Sequence, residues 1–272
     1  MVRMLGALAL LVAFQAGAQA PVSYTMTITT DSGTGRPEVS VEHVKAANGM
    51  VRLEMVPGDS AVRALMAGSY MLLAESSDTI VTVLPSSHMM VSRSSTASPF
   101  PPGLVAMHRT GAPGLEVEDL GDGPVIAGLP THHYRVTIDG DVEVTVDTTH
   151  CNRHVHVVTD TWNATGVELP DLLTKRFVAG VMQGVGAQRA AESAALLAQQ
   201  PPGVALRKES VAEGVTSRVE VSDIRHEAID PSVFALPTGY TMMDPTVMTR
   251  MMDNPAMRAN IASVLKARMC RP

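Results

Sequence analysis

The sequence predicts an α+β fold: an antiparallel sheet that is apolar on one face, with helices added late in the chain. Three observations carry this. From Val22 to about Arg93, apolar and polar residues alternate in short runs divided by turn residues, the signature of an antiparallel meander buried on one side. Between Pro170 and Gln200 the period lengthens: Leu173, Phe177 and Val181 recur every fourth residue, followed by an alanine-rich run. From Asp244 onward, two capping signals precede an apolar stripe at helical spacing.

The first residues, MVRMLGALALLVAFQAGAQA, combine Arg3, an apolar core from Leu5 to Phe14 and the small residues Ala16-Gly17-Ala18. That is the layout of a secretory signal peptide, too short in its apolar part to span a bilayer. Proline at position 21 disfavours a cut after Ala20, so residues 1–18 are expected to be removed. No cysteine follows the apolar core, so no lipid anchor is expected, and the mature chain is expected to be periplasmic or secreted.

Val22, Tyr24, Met26 and Ile28 alternate with Ser and Thr, giving a first strand. Val39 and Val41 mark a second. After Asn48-Gly49, a hairpin turn pair, Val51, Leu53 and Met55 alternate with Arg52 and Glu54. Residues 70–74, 79–84 and 89–91 continue the meander, and residues 59–66 form a short helical turn. The Ser- and Pro-rich stretch 94–103 reads as a loop. Strands resume at 115–120, 131–138, 142–148 and 153–161. The helical pair at 170–200 is interrupted by Gly184-Val185-Gly186 and stopped by Pro201-Pro202. Strands near 204–210 and 215–224 follow. In the tail, Asp244-Pro245 and Asn254-Pro255 each set a capping side chain before a proline at the first helical position. Met257, Ile261, Val264, Leu265 and Met269 form the stripe. The domain reading is a signal peptide at 1–18, a sheet domain at 19–243 with a helical insertion near 170–200, and a helical tail at 244–272.

Composition narrows the partners. Net charge is −6 and no basic run exceeds two residues, so nucleic acid and anionic lipid headgroups are not expected partners. No stretch beyond the signal is long and apolar enough to span a membrane. Aromatics make up 3% while there are 18 methionines, so flexible thioethers fill the apolar space, either as core or as an adaptable cavity. The two cysteines, Cys151 and Cys270, are candidates for one long-range disulfide in an oxidising compartment.

Residues 150–156, HCNRHVH, raise the question of a metal site. Taking Asp139-Gly140-Asp141 as a three-residue loop pairs Ile138 with Val142 and sets the valines on one face. A second turn at 149–152 then pairs Thr148 with Arg153. The polar face would hold His133, Asp147 and His154 in a row, with His156 beside them. Such a row could bind zinc or copper, or be a solvated charge pair across strands. His150 and Cys151 would fall in the turn.

Catalytic patterns are sparse. Ser263-Val264-Leu265-Lys266 fits S-x-x-K without its partner motifs. No G-x-S-x-G, H-E-x-x-H, P-loop or dinucleotide fingerprint occurs. The reading is a non-enzymatic protein with no cofactor.

One stretch is more specific. Residues 229–240, IDPSVFALPTGY, follow a strand at 216–221 and place Phe-x-x-Pro-x-Gly-Tyr after an acidic residue. This resembles the closing strand and turn of LolA-like outer-membrane lipoprotein carriers and related exported bacterial proteins. Val51-Arg52-Leu53-Glu54-Met55, Tyr70-Met71-Leu72-Leu73, Ile80 to Pro85 and Gly128 to Val136 resemble the same families in order. The resemblance implies a curved sheet, a half-open barrel, whose concave apolar face is covered by helices. Such relatives hold acyl chains between sheet and helices, carry lipoproteins or sense envelope stress. The histidine-rich strand pair and the capped C-terminal helix set this chain apart from the carriers.

Together these readings lead us to expect a periplasmic protein that binds a hydrophobic ligand, a lipid or acyl chain. Its pocket would be lined by Met26, Met55, Met71, Met89, Met90 and Phe177. The alternatives are a metal-binding protein using His133, Asp147, His154 and His156, or an envelope interaction protein whose C-terminal helix docks a partner.

Overall fold

A computed structural model describes residues 20–33, 35–56, 68–74, 77, 79–94, 103–111, 114–167, 169, 201–212, 214–243 and 254–270. The strands are β1 (Val22–Asp31), β2 (Glu38–Ala47), β3 (Met50–Met55), β4 (Tyr70–Ala74), β5 (Thr79–Leu84), β6 (Met89–Ser94), β7 (Val105–Arg109), β8 (Gly114–Asp122), β9 (His132–Val146), β10 (Thr149–Ala164), β11 (Val204–Ala212), β12 (Val215–Arg225) and β13 (Thr241–Met243). One α-helix, α1 (Pro255–Met269), falls among the described residues, with short 3-10 turns at Pro85–Ser87 and Pro231–Phe234.

All strands join one sheet in the order β13-β6-β5-β4-β3-β2-β1-β12-β11-β10-β9-β7, with β8 also pairing with β9. The first strand therefore stands in the middle. From it, β2 to β6 step away on one side, and β12 back to β9 on the other. Pairing is antiparallel throughout except between β13 and β6. The end strands β13 and β7 do not meet, so the curved sheet stays unclosed. The antiparallel half-open sheet agrees with expectation. The helices expected to cover its concave face are not seen: among the described residues there is one α-helix, the C-terminal one, which reaches only one end of the apolar face. The expected helical pair at 170–200, the turn at 59–66, the signal peptide and the Asp244-Pro245 cap all lie outside the described residues.

Register and strand alternation define the two faces. On one, Val22, Ala46, Val51, Leu73 and Ile80 lie opposite one another across five strands and are all buried. Tyr24, Val44, Leu53 and Met71 form the next row. This is the main core, reached also by Leu206 and Val221 from the other half of the sheet. Burying each such side chain contributes about 1.5–3 kcal/mol. On the opposite face, Tyr70, Leu72, Val83 and Met90 form a smaller core with Tyr240. Arg52 holds the closing segment there: its guanidinium lies 3.6 Å over the Tyr70 ring and donates to the Val233 carbonyl at 2.9 Å.

Turn chemistry sets the register. Asn48 and Gly49 both take positive φ, 51° and 71°, as a two-residue type I′ hairpin demands, so Ala47 pairs with Met50. Asp230 caps the second 3-10 turn by accepting from the Ser232 amide at 2.9 Å.

The β9–β10 hairpin corrects the expected register. Asp139-Gly140-Asp141 is not a loop. β9 runs straight through it for 15 residues, because each aspartate finds a histidine across the strand pair: Asp139 faces His156, and Asp141 faces His154. Gly140 lies opposite Val155. The true turn is two residues long, Asp147-Thr148, with Asp147 at φ 55° and Val146 paired to Thr149. His150 and Cys151 consequently belong to the strand, not to the turn. Cys151, Arg153 and Val155 share the apolar face; His150, His154 and His156 share the polar one.

Helix α1 covers the β7, β9 and β10 end of the apolar face. Asn254 caps it, its Oδ1 accepting from the amides of Ala256 and Met257 at 3.0 and 3.3 Å. Ile261, Ala262, Leu265 and Met269 pack against Leu104, Val142, Val144 and Val146. The expected stripe is shifted: Met257 and Val264 are exposed, because the small Ala262 lets the helix approach on a face one step further round. The Cys151–Cys270 disulfide forms and ties the end of the helix to β10, with Cα atoms 5.6 Å apart and 119 residues between them.

Candidate functional site

Burial falls off row by row along the apolar face. The first row is closed. In the second, Tyr24, Val44 and Leu53 are buried while Met71 is partly open. The third row reads Val221, Met26, Glu42, Met55 across β12, β1, β2 and β3. Met26, Glu42 and Met55 are half-buried. A set of flexible thioethers at the margin of a packed core is a surface that can re-pack around an apolar guest.

The expected pocket residues divide accordingly. Met26, Met55 and Met71 share the apolar face beside the main core. Met89 follows the same alternation, pairing with Leu84. Met90 is on the opposite face, buried against Tyr70 and Val83, so it cannot share a pocket with the others. Phe177 lies outside the described residues.

Glu42 is the residue that the sequence reading missed. The expected apolar pair on β2, Val39 and Val41, points to the polar face, where Val39 is 46% exposed. The apolar set of β2 is instead Val44 and Ala46, which brings Glu42 onto their face. Burial pushes its carboxyl above the usual range, since a charge withdrawn from water disfavours its ionised form. The signal was available: Glu42, Val44 and Ala46 are spaced by two, running into the Asn-Gly turn that fixes the register.

The expected metal row does not assemble. Asp147 sits in the hairpin turn, and His133 lies opposite Trp162, far along the strand from His154. Among the described residues no group of three or more histidine, cysteine, aspartate or glutamate side chains is placed to hold a metal ion. The histidines pair with carboxylates instead. His154 Nδ1 meets Asp141 Oδ1 at 3.0 Å, and His156 Nδ1 meets Asp139 Oδ2 at 2.9 Å. At the far end of the hairpin, His133 stacks on Trp162 at 4.5 Å between ring centres. Asp160 accepts from His133 at 3.1 Å and from both Nε and Nη2 of Arg135 at 3.0 and 3.1 Å. These pairs make the polar face of the hairpin a ladder of opposite charges, which stabilises strand pairing.

No family model and no curated protein matches the chain. Among solved structures it is similar to a LolA superfamily protein from Nitrosomonas europaea, at 9% identity and TM-score 0.35, covering 80% of this chain and 91% of that one. It is similar to a putative outer membrane lipoprotein-sorting protein domain from Vibrio parahaemolyticus, at 11% identity and TM-score 0.35, covering 79% and 89%. A third, PNGF-II, has 11% identity and TM-score 0.35; 86% of this chain is covered but only 33% of that protein. These likenesses bring no ligand or activity to this chain.

Proposed function

We propose that this chain is an exported, non-enzymatic protein that binds a hydrophobic ligand, a lipid or acyl chain, on the apolar face of its open sheet. One observation carries the reading: Met26, Met55 and Met71 lie together on that face beside the core and remain only partly buried. The unclosed sheet supports it, since a closed, filled barrel offers no such margin. A ten-carbon chain buried there contributes about 0.8 kcal/mol per methylene, roughly 8 kcal/mol, near micromolar affinity before ordering costs. Export rests on the signal-like residues 1–18, and no helix among the described residues is long and apolar enough to cross a membrane. The test is mass spectrometry of an organic extract from natively purified protein. A stoichiometric lipid is expected; a protein that carries none and takes up no acyl probe refutes the reading.

A further inference from the structure

We propose that Glu42 makes this apolar face selective for amphiphiles with a cationic head, an alkyl ammonium group being the simplest case. The inference rests on the reading of the face as a lipid site, but its own grounds are the position of the carboxyl. Glu42 is in β2, flanked on its row by Met26 and Met55, with Val221 beyond Met26. Its row is the one at which the packed core gives way to half-buried side chains.

No described residue answers its charge. The neighbouring charged groups of β2 and β3 alternate to the opposite face: His43 Nδ1 meets Thr25 Oγ1 at 3.2 Å, and Glu54 pairs with Lys45 and Arg52. On the face itself the register places Lys208 in the row of Val219, Ile28 and Ser40, Arg93 opposite Ile80 on β6, and Arg153 opposite Val142 on β10, none of them on a strand next to β2. Lys208 stands three strands away from Glu42, at least about 14 Å at the usual strand spacing. Glu42 has no hydrogen-bond or ion-pair partner among the described residues. Burial alone accounts for its raised pKa.

A half-buried carboxylate that no described residue pairs is costly, and the cost is relieved when a cation is brought beside it. An amphiphile whose tail lies over Met26, Met55 and Met71 can place its head at this row. An ammonium head would then form a charge-assisted hydrogen bond in a partly dehydrated setting, where such bonds are strongest. A hydroxyl head gains less. A carboxylate head meets like charge and is rejected. The predicted order is ammonium, then alcohol, then carboxylate, for tails of equal length.

The experiment is displacement of the neutral probe N-phenyl-1-naphthylamine from the mature full chain at pH 8, using dodecylamine, dodecanol and dodecanoate below their aggregation limits. Wild type is expected to bind dodecylamine about tenfold tighter than dodecanol, a gap of roughly 1.4 kcal/mol. Glu42→Gln is expected to shrink the gap to within about threefold, chiefly through weaker dodecylamine binding. Should Glu42→Gln not fold, Glu42→Met, which matches its neighbours on the row, is read in the same assay. Equal affinities in wild type, or a preference that survives the substitution, overturn the assignment to Glu42 while dodecanol binding leaves the lipid reading standing. Failure of all three compounds to displace the probe overturns both.

Discussion

His154 lies between two aspartates of the facing strand, its Nδ1 3.0 Å from Asp141 Oδ1 and its Nε2 3.3 Å from Asp139 Oδ2. The hydrogen bond to Asp141 and the charge of Asp139 raise its pKa above the ordinary value of 6.5. A pKa raised by folding means that the protonated form is the one the fold favours. The contribution is therefore complete below the unfolded imidazole's pKa and is lost as pH rises through the folded value. A nuclear magnetic resonance titration of His154 is expected to show a midpoint above 6.5, and Asp141→Asn should bring it down. A midpoint at or below the ordinary value in wild type would contradict the pairing.

Asp160 works in the other direction. Burial pulls its carboxyl upward, but the hydrogen bonds and charges of Arg135 and His133 outweigh this and hold it below the usual range. Its contribution is present above the unfolded carboxylate's pKa and disappears as pH falls through the folded value. Because Arg135 is substantially exposed, the exchange Asp160→Asn is expected to cost only about 1 kcal/mol at pH 7. In urea denaturation the difference from wild type should shrink as pH falls below the ordinary carboxyl value of 3.8 and through the lowered folded one.

The Cys151–Cys270 bridge closes a loop of 119 residues. In the chain-entropy account a loop of this length contributes about 5 kcal/mol. The double substitution Cys151→Ala, Cys270→Ala should lower stability by that amount in denaturant. Hydrogen exchange should show where: amides of α1 lose protection first, since among the described residues its apolar packing is the small cluster around Ala262.

Two glycines of positive φ separate strain from collision. Gly214, at φ 78°, would gain a Cβ with nothing within 4 Å, whereas a Cβ at Gly203, at φ 88°, would fall 2.5 Å from the Ala164 carbonyl oxygen. Gly214→Ala is expected to cost about 1 kcal/mol, the strain of a left-handed alanine. Gly203→Ala should cost clearly more, about 3 kcal/mol, because backbone must move. Thermal melts of the two variants give the comparison.

What was legible in the sequence follows where local chemistry decides the structure. The Asn48-Gly49 turn, the Asn254-Pro255 cap and the alternation of Val51, Leu53 and Met55 each fix their own neighbourhood, and each is found as read. The β9–β10 register was not legible for a physical reason. Asp139-Gly140-Asp141 has the composition of a turn, and only its cross-strand partners His156 and His154, themselves placed by the Asp147 turn, make extension the better outcome. The same kind of non-local choice hid Glu42: Val39-Ser40-Val41 offers a plausible apolar set, and the pairing of Val44 with Leu53 and Tyr24 overrules it.

The central position of β1 also bears on how the molecule could be taken apart. Strands β1 to β6 form one continuous meander in residues 22–94, and β7 to β13 a second group in residues 105–243. They are sewn together along two seams, β1 with β12 and β13 with β6. The link from β6 to β7 carries neither seam. A backbone severed there leaves both seams intact, so the sheet is open to reconstitution from two separately produced pieces. Each piece would present a ready edge to the other: β1 on the first and β12 on the second.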